Sequence, residues 1–505
     1  MCSTLQVSLA YIASMKKISA FYASLLLLGG CQSAFLSKPA TPESAAHSSQ
    51  APAKEAIPAA SFSQQTLLAL LTAEVAGQRD HYDIALENYS AQASATRDPG
   101  VAERAYRIAE YLNEQPATLE NALLWATITP DNVEAQRAAA IQLARSGRYD
   151  ESMRYMEVVL QGQGDTHFDF LALSASESDT ETRKGLLNSF DRLLLKYPGN
   201  AQLLFGKALL LQQDNQLEAA QALLEDQPAS REEPSLLLLR ASLLQQLERS
   251  QEAFSLLEDG LKSNPNDKRL RLTYARLLVE QQRLEEARAE FTTLLQQNPE
   301  DDDLRLSLAL ISMEAQAWNE AQAYLRDLIE RDSHVDIAHY NLGLIHEEQN
   351  DPHGALIEYS LIGPGNEYLA AQARQTAIRL AEQHVSEARQ HLAEARADQP
   401  DYAVQLYMLE IESLAEHQQT DLAWLAAQQS LEQFPGDLNL LYTRAMLAEQ
   451  RNDLGQMERD LRQIIKAEPD NSMALNALGY TLADRTTRYT EAKSLIERAH
   501  RLKPD

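Results

Sequence analysis

One internal period constrains this chain more than any other feature. Alanine recurs at Ala220, Ala253, Ala287, Ala321, Ala355, Ala388 and Ala423, at spacings of 33 to 35 residues. A small residue stands twelve positions earlier at Ala208, Ala241, Ala275, Ala309 and Gly343, and Ala73/Ala85 and Ala140/Ser152 repeat the pair upstream. Proline recurs in the same phase at Pro130, Pro198, Pro265, Pro299, Pro400, Pro435, Pro469 and Pro504. A period of this length marks a unit that cannot bury its apolar face alone and must stack on copies of itself. Small side chains at the paired positions let two helices approach closely, and proline ends the second helix.

The pattern resembles the tetratricopeptide repeat, two antiparallel helices in 34 residues. Residues 336–362 carry its signature, with Leu342-Gly343, Ala355 and Tyr359 at the family positions. Residues 475–492 carry it again in Leu478-Gly479 and Ala492, with one extra residue in the turn. The resemblance implies an all-α, right-handed superhelical solenoid of about thirteen helix pairs over residues 66–505. Units are expected to start near 66, 99, 133, 167, 201, 234, 268, 302, 336, 369, 404, 438 and 472. Those near 99, 167 and 404 are placed by phase alone. Leu278, Phe291, Leu325, Tyr359 and Leu392 are the large residues expected to fill the space between repeats. Solenoids ordinarily end in a polar-faced cap. Here Lys503-Pro504-Asp505 falls where another unit would begin, so the array is expected to be truncated at this end, or else covered by a partner.

The N-terminus reads differently. Lys16-Lys17, a short apolar run and then Leu28-Gly29-Gly30-Cys31 form an export signal too short to span a bilayer comfortably. The last four residues resemble the lipobox cleaved by the lipoprotein signal peptidase, which implies a diacylglyceryl thioether on Cys31 and an acylated amino terminus. Gln32 at the next position implies the outer membrane by the same resemblance. Translation is open between Met1 and Met15. Residues 31–65 are then a lipidated cysteine and an Ala/Ser/Pro-rich flexible tether. Several acyl chains together anchor stably.

Charge and chemistry exclude other classes. The formal charge of −28 becomes −30 once the two signal lysines are removed, and an acidic chain lacks the basic patches nucleic acid requires. Two cysteines, Cys2 and Cys31, cannot build a disulfide framework or a cysteine zinc site. Seven of the eleven histidines lie between residues 334 and 417, but His339, His346 and His353 are seven apart, about 10.5 Å along a helix, too far to share an ion. Gly206-Lys207 lacks the spacing and the following Ser or Thr of a phosphate loop, and no Gly-x-Ser-x-Gly elbow occurs. No catalytic centre, metal or cofactor is expected beyond the lipid on Cys31.

A solenoid instead offers a long face lined by the first helix of each unit. The positions expected to point inward include Arg269, Arg276, Leu306, Leu310, Met313, Tyr340, Leu344, Met408, Tyr442, Met446, Asn476 and Tyr480, which are types common in interfaces or alternatively pack within the array. Asn341 and Arg374 match two places of the carboxylate clamp of chaperone-binding relatives, but Leu306 and Leu310 occupy the other two, so that ligand is not expected. Lipobox, tether and array together resemble tetratricopeptide outer-membrane lipoproteins of Gram-negative bacteria. Asp98-Pro99-Gly100-Val101-Ala102-Glu103-Arg104-Ala105 looks like one subgroup, adaptors that bring a periplasmic carboxy-terminal processing protease to peptidoglycan hydrolases. The alternative is a scaffold for outer-membrane assembly or polysaccharide export.

Overall fold

The computed structural model describes residues 62–503, so the signal motif Leu28-Gly29-Gly30, Cys31, both candidate start methionines and most of the tether lie outside the described residues. The described residues form thirteen successive first-and-second helix units, with one further short helix, Ala229–Glu232. Every expected unit start lies within two residues of an observed first helix, including the three placed by phase: α3 (Pro99–Tyr111), α7 (Phe168–Ala175) and α22 (Ala403–Glu416). The first helix, α1 (Gln64–Gly77), begins two residues ahead of the expected boundary, and Phe62 already packs on the first core cluster.

Two local devices make these helices. Aspartate or asparagine two residues after the recurring proline caps the next first helix: Asp267 Oδ1 accepts from Leu270 N at 2.9 Å, Asp301 Oδ1 from Leu304 N at 3.1 Å, and Asn471 Oδ1 from Ala474 N at 3.0 Å. Inside most pairs, a single left-handed residue turns the chain, at Asn113, Gly147, Asn215, Gln282, Asn350 and Asn452 among others. At Asn350 the turn is closed by Asp351 N donating to His346 O at 2.8 Å, the six-to-one bond of a Schellman motif.

The chain divides into two compact units, meeting at residues 290 and 291 inside α15 (Leu284–Gln297). In residues 62–290, three successive clusters form the core: Ala73 to Ala139, Ala140 to Leu210, and Leu204 to Leu243. The fifth repeat departs from the consensus. Its second helix, α10 (Leu217–Glu225), is short and is followed by an extra turn of helix, α11 (Ala229–Glu232), which the period does not reveal. Ser230 holds that turn by donating to Gln227 O at 2.7 Å. In residues 291–503 the clusters run from Leu306 to Ala499 in the same manner. All five large residues expected between repeats, Leu278, Phe291, Leu325, Tyr359 and Leu392, are fully buried.

The small positions are tight. A Cβ on Gly343, in α18 (Val335–Glu348), would lie 2.6 Å from Tyr359 Cζ and 2.8 Å from its Cδ1. The ring cannot swing away, because it is fully buried and its hydroxyl donates to Glu347 Oε1 at 2.6 Å. Overpacking costs about 1–3 kcal/mol, while alanine gains up to about 1 kcal/mol of helix propensity. Gly343→Ala is therefore expected to destabilise by about 1–2 kcal/mol. Gly185→Ala, in the open middle of α8 (Thr180–Lys196) with nothing within 4 Å, is expected to stabilise. Urea unfolding of both variants checks the opposite signs.

Candidate partner-binding face

Most first helices pack against their own second helix, whereas α7 packs chiefly on α9 (Ala201–Gln213), the first helix of the next repeat. In residues 62–290 the predicted positions fall on α14 (Lys268–Glu280), where Arg269 is exposed and Arg276 half-buried, with its buried Nε lacking a hydrogen-bond partner. The intervening Arg271 is spent internally, bonding Glu290 and donating to Pro265 O at 2.6 Å.

In residues 291–503 the predicted positions divide. Leu306 on α16 (Asp302–Glu314) is only 2% exposed and belongs to the core cluster that includes Leu325 and Leu342, so it does not line an open face. Leu310 and Met313 lean half-buried on the same cluster. Tyr340 is half-buried against Tyr359, ring centroids 5.6 Å apart, and Leu344 is half-buried one turn on. Met408 is half-buried on α22, as are Tyr442 and Met446 on α24 (Leu438–Gln450). On α26 (Ser472–Arg485), Asn476 is exposed and Tyr480 is 52% exposed.

The clamp positions are occupied. Arg374, on α20 (Tyr368–Ala381), donates Nε to Glu347 Oε1 at 2.8 Å and Nη2 to Glu347 Oε2 at 2.5 Å. Burial alone would lower its pKa, yet the Glu347 bonds and charge raise it. Asn341 is buried and donates to Ile337 O of its own helix at 2.7 Å. A peptide carboxylate at these positions would have to compete with Glu347 for Arg374 and with the Ile337 carbonyl for Asn341.

Sequence reasoning missed three acids and a methionine on the same face. Glu412 and Glu416 continue the Met408 stripe of α22 at four-residue steps, Glu449 follows Met446 on α24, and Met473 precedes Asn476 with 60% exposure. Glu412 is wet, yet the protein around it raises its carboxyl pKa, burial first and then the Glu416 charge. Burial also raises Glu416, and raises the Tyr442 phenol with a further push from Glu449. The signal available in the sequence was the four-residue spacing of acids on a first helix.

The histidines are dispersed among separate partners. His334 meets Asp303 at 3.0 Å, His339 meets Glu358 at 2.7 Å, and His346 meets Asp351 at 2.9 Å. Among the described residues no group of three His, Cys, Asp or Glu is placed to hold a metal ion, and no helix is long and apolar enough to cross a membrane. His391, on α21 (Val385–Asp398), meets Gln372 Oε1 at 2.6 Å, and burial followed by the Arg379 charge lowers it to about 4. An unfolded histidine titrates near 6.5, so the unfolded chain binds the proton first. Stability is therefore lost as pH falls from about 6.5 towards 4, by at most about 1.4 kcal/mol per unit. His391→Gln is expected to shrink the drop in melting temperature between pH 7 and pH 5. An unchanged drop contradicts this assignment.

Residues 244–311 and 306–366 each match a family profile described as tetratricopeptide repeat. Over 497 residues the chain is 60% identical to the TPR repeat-containing protein PA4667 of Pseudomonas aeruginosa, covering 98% of this chain and 84% of that one. The chain belongs to the tetratricopeptide-repeat family. Solved structures similar to this repeat protein include Naa15/Naa10 bound to HypK-THB, at 15% identity and TM-score 0.34 over 87% of this chain and 68% of that one. Yeast Tom70 matches at 15% identity and TM-score 0.31, over 88% and 93%. A tetratricopeptide repeat protein of Parabacteroides merdae matches at 12% and 0.28, over 49% and 99%.

Within this frame the subgroup-like stretch has local work to do. Asp98 Oδ1 caps α3 by accepting from Val101 N at 3.0 Å, Pro99 opens the helix, and Val101, Ala102 and Ala105 are buried. Glu103 is tied to Arg107 at 2.9 Å and Arg104 reaches Glu74 at 3.8 Å.

Proposed function

We propose that the chain is a non-enzymatic scaffold that lipid on Cys31 tethers to the periplasmic face of the outer membrane. There it serves as an adaptor bringing a carboxy-terminal processing protease to peptidoglycan hydrolases. The observation that carries the reading is the first-helix face itself, where Tyr480, Met473 and Asn476 stand in solvent beside half-buried Tyr442 and Met446. Aromatic and methionine side chains left open on a repeat array are interface material. The lipobox at Leu28-Gly29-Gly30-Cys31 and the Ala/Ser/Pro-rich tether support the anchoring half. Confinement to a surface raises the effective concentration of two captured partners without either needing a tight site.

The test is an envelope fractionation of the native host with a Cys31→Ser variant. The anchored adaptor reading expects the wild-type chain in the outer membrane, the variant in the soluble periplasm, and hydrolases accumulating when the chain is deleted. Equal membrane retention of both forms refutes the anchor. Unchanged hydrolase levels refute the adaptor.

A further inference from the structure

We propose that the first-helix face of the last three repeats, carrying Met408, Glu412, Glu416, Tyr442, Met446 and Tyr480, docks a partner segment in which Lys or Arg alternates with apolar side chains. This rests on the scaffold reading above and specifies which chemistry it captures. The three helices α22, α24 and α26 place these residues at four-residue intervals, so each contributes one stripe. The helices are joined by packing: α22 touches α24, and Tyr442 and Met446 rest on the cluster that holds Ala474, Leu475 and Leu478 of α26.

Charge selects the occupant. These helices carry two cations, and each has an acidic partner of its own. Arg444 donates to Asp460 at 2.9 and 2.7 Å, and Arg485 meets Asp484 at 3.0 Å. Glu410 is spent as well, buried between Arg389 and Arg396 at 2.8 Å each. Glu412, Glu416 and Glu449 form no such ion pair among the described residues. The face is therefore apolar and aromatic in its floor and uncompensated in its acids. A segment with cations alone would forgo the Tyr and Met surface, and an apolar segment alone would strip water from carboxylates that have no ion-pair partner.

The full chain is titrated by fluorescence anisotropy at low salt into three labelled peptides with repeating triplets Lys-Leu-Ala, Lys-Ser-Ala and Glu-Leu-Ala. Lys-Leu-Ala is expected to bind at least about tenfold more tightly than either other peptide. The double variant Glu412→Lys/Glu416→Lys is expected to lose that binding about tenfold or more and to gain Glu-Leu-Ala. A control of equal charge change, Glu394→Lys/Glu432→Lys on exposed positions of second helices, is expected to stay within about twofold. Equal loss in the control, equal binding of Lys-Ser-Ala, or no loss in the Glu412/Glu416 variant overturns the proposal. Circular dichroism keeps misfolding separate from lost binding. Capture of envelope partners that survives the double variant would leave the scaffold standing and remove only this face from it.

Discussion

Asp460→Ala is expected to melt the last two repeats ahead of the others. Asp460 lies on α25 (Leu454–Ala467), is 1% exposed, and accepts from Arg444 twice and from Gln456 Nε2 at 2.8 Å. Deleting one partner of a buried pair strands the other charge, at about 3–5 kcal/mol. Arg444 is 19% exposed in its side chain, so water relieves it only in part. The pair joins α24 to α25, the hairpin that carries Tyr442 and Met446 on its open side. Repeat arrays distribute stability among nearest neighbours, so the loss concentrates locally rather than spreading evenly. Hydrogen exchange is expected to show lost protection across residues 438–502 while residues 62–290 stay protected. Uniform loss, or a cost below about 1 kcal/mol, contradicts the local account. Glu412→Lys/Glu416→Lys leaves the Arg444–Asp460 pair intact, so lost binding in that variant and lost folding in Asp460→Ala are separable.

Trp125→Ala is the second large effect. Trp125, on α4 (Gln115–Ile128), is 1% exposed and stacks on Tyr106 with ring centroids 5.7 Å apart. It sits among Ala122, Ala126, Ala135, Ala138 and Ala139, all buried. Alanines have no side-chain length with which to fill the void, so collapse is poor and the cost approaches the upper range, about 3–5 kcal/mol. The expected result in urea is an early transition confined to the first three repeats. Trp125→Phe, which keeps most of the ring volume, is expected to recover more than half of the loss. No difference between the two variants would mean that the tryptophan is not the keystone of that cluster.

The repeat was legible because helix crossing imposes a hard distance. Ala208/Ala220, Ala241/Ala253, Ala309/Ala321 and Gly343/Ala355 could be paired from spacing alone, and the alanines among them are fully buried. Which face of a first helix stays open was less legible. In α16 the run Leu304, Leu306, Leu308, Leu310, Ile311 is apolar on every side, so periodicity cannot choose, and Leu306 turns inward. Partner choice was not legible at all. Arg374 matched a clamp by position, yet its use is decided by Glu347, 27 residues away in sequence. The extra helix Ala229–Glu232 arises where α10 stops early, a departure that leaves no trace in the alanine period.

The central claim is that this chain works by holding proteins together. The most direct measurement is a pull-down from the native envelope, with the soluble chain starting after Cys31 as bait and mass spectrometry of what it retains. The account predicts a carboxy-terminal processing protease together with peptidoglycan hydrolases, both lost when the Asp460→Ala or Glu412→Lys/Glu416→Lys variant is the bait. Retention of outer-membrane assembly or polysaccharide-export components in their place would contradict it.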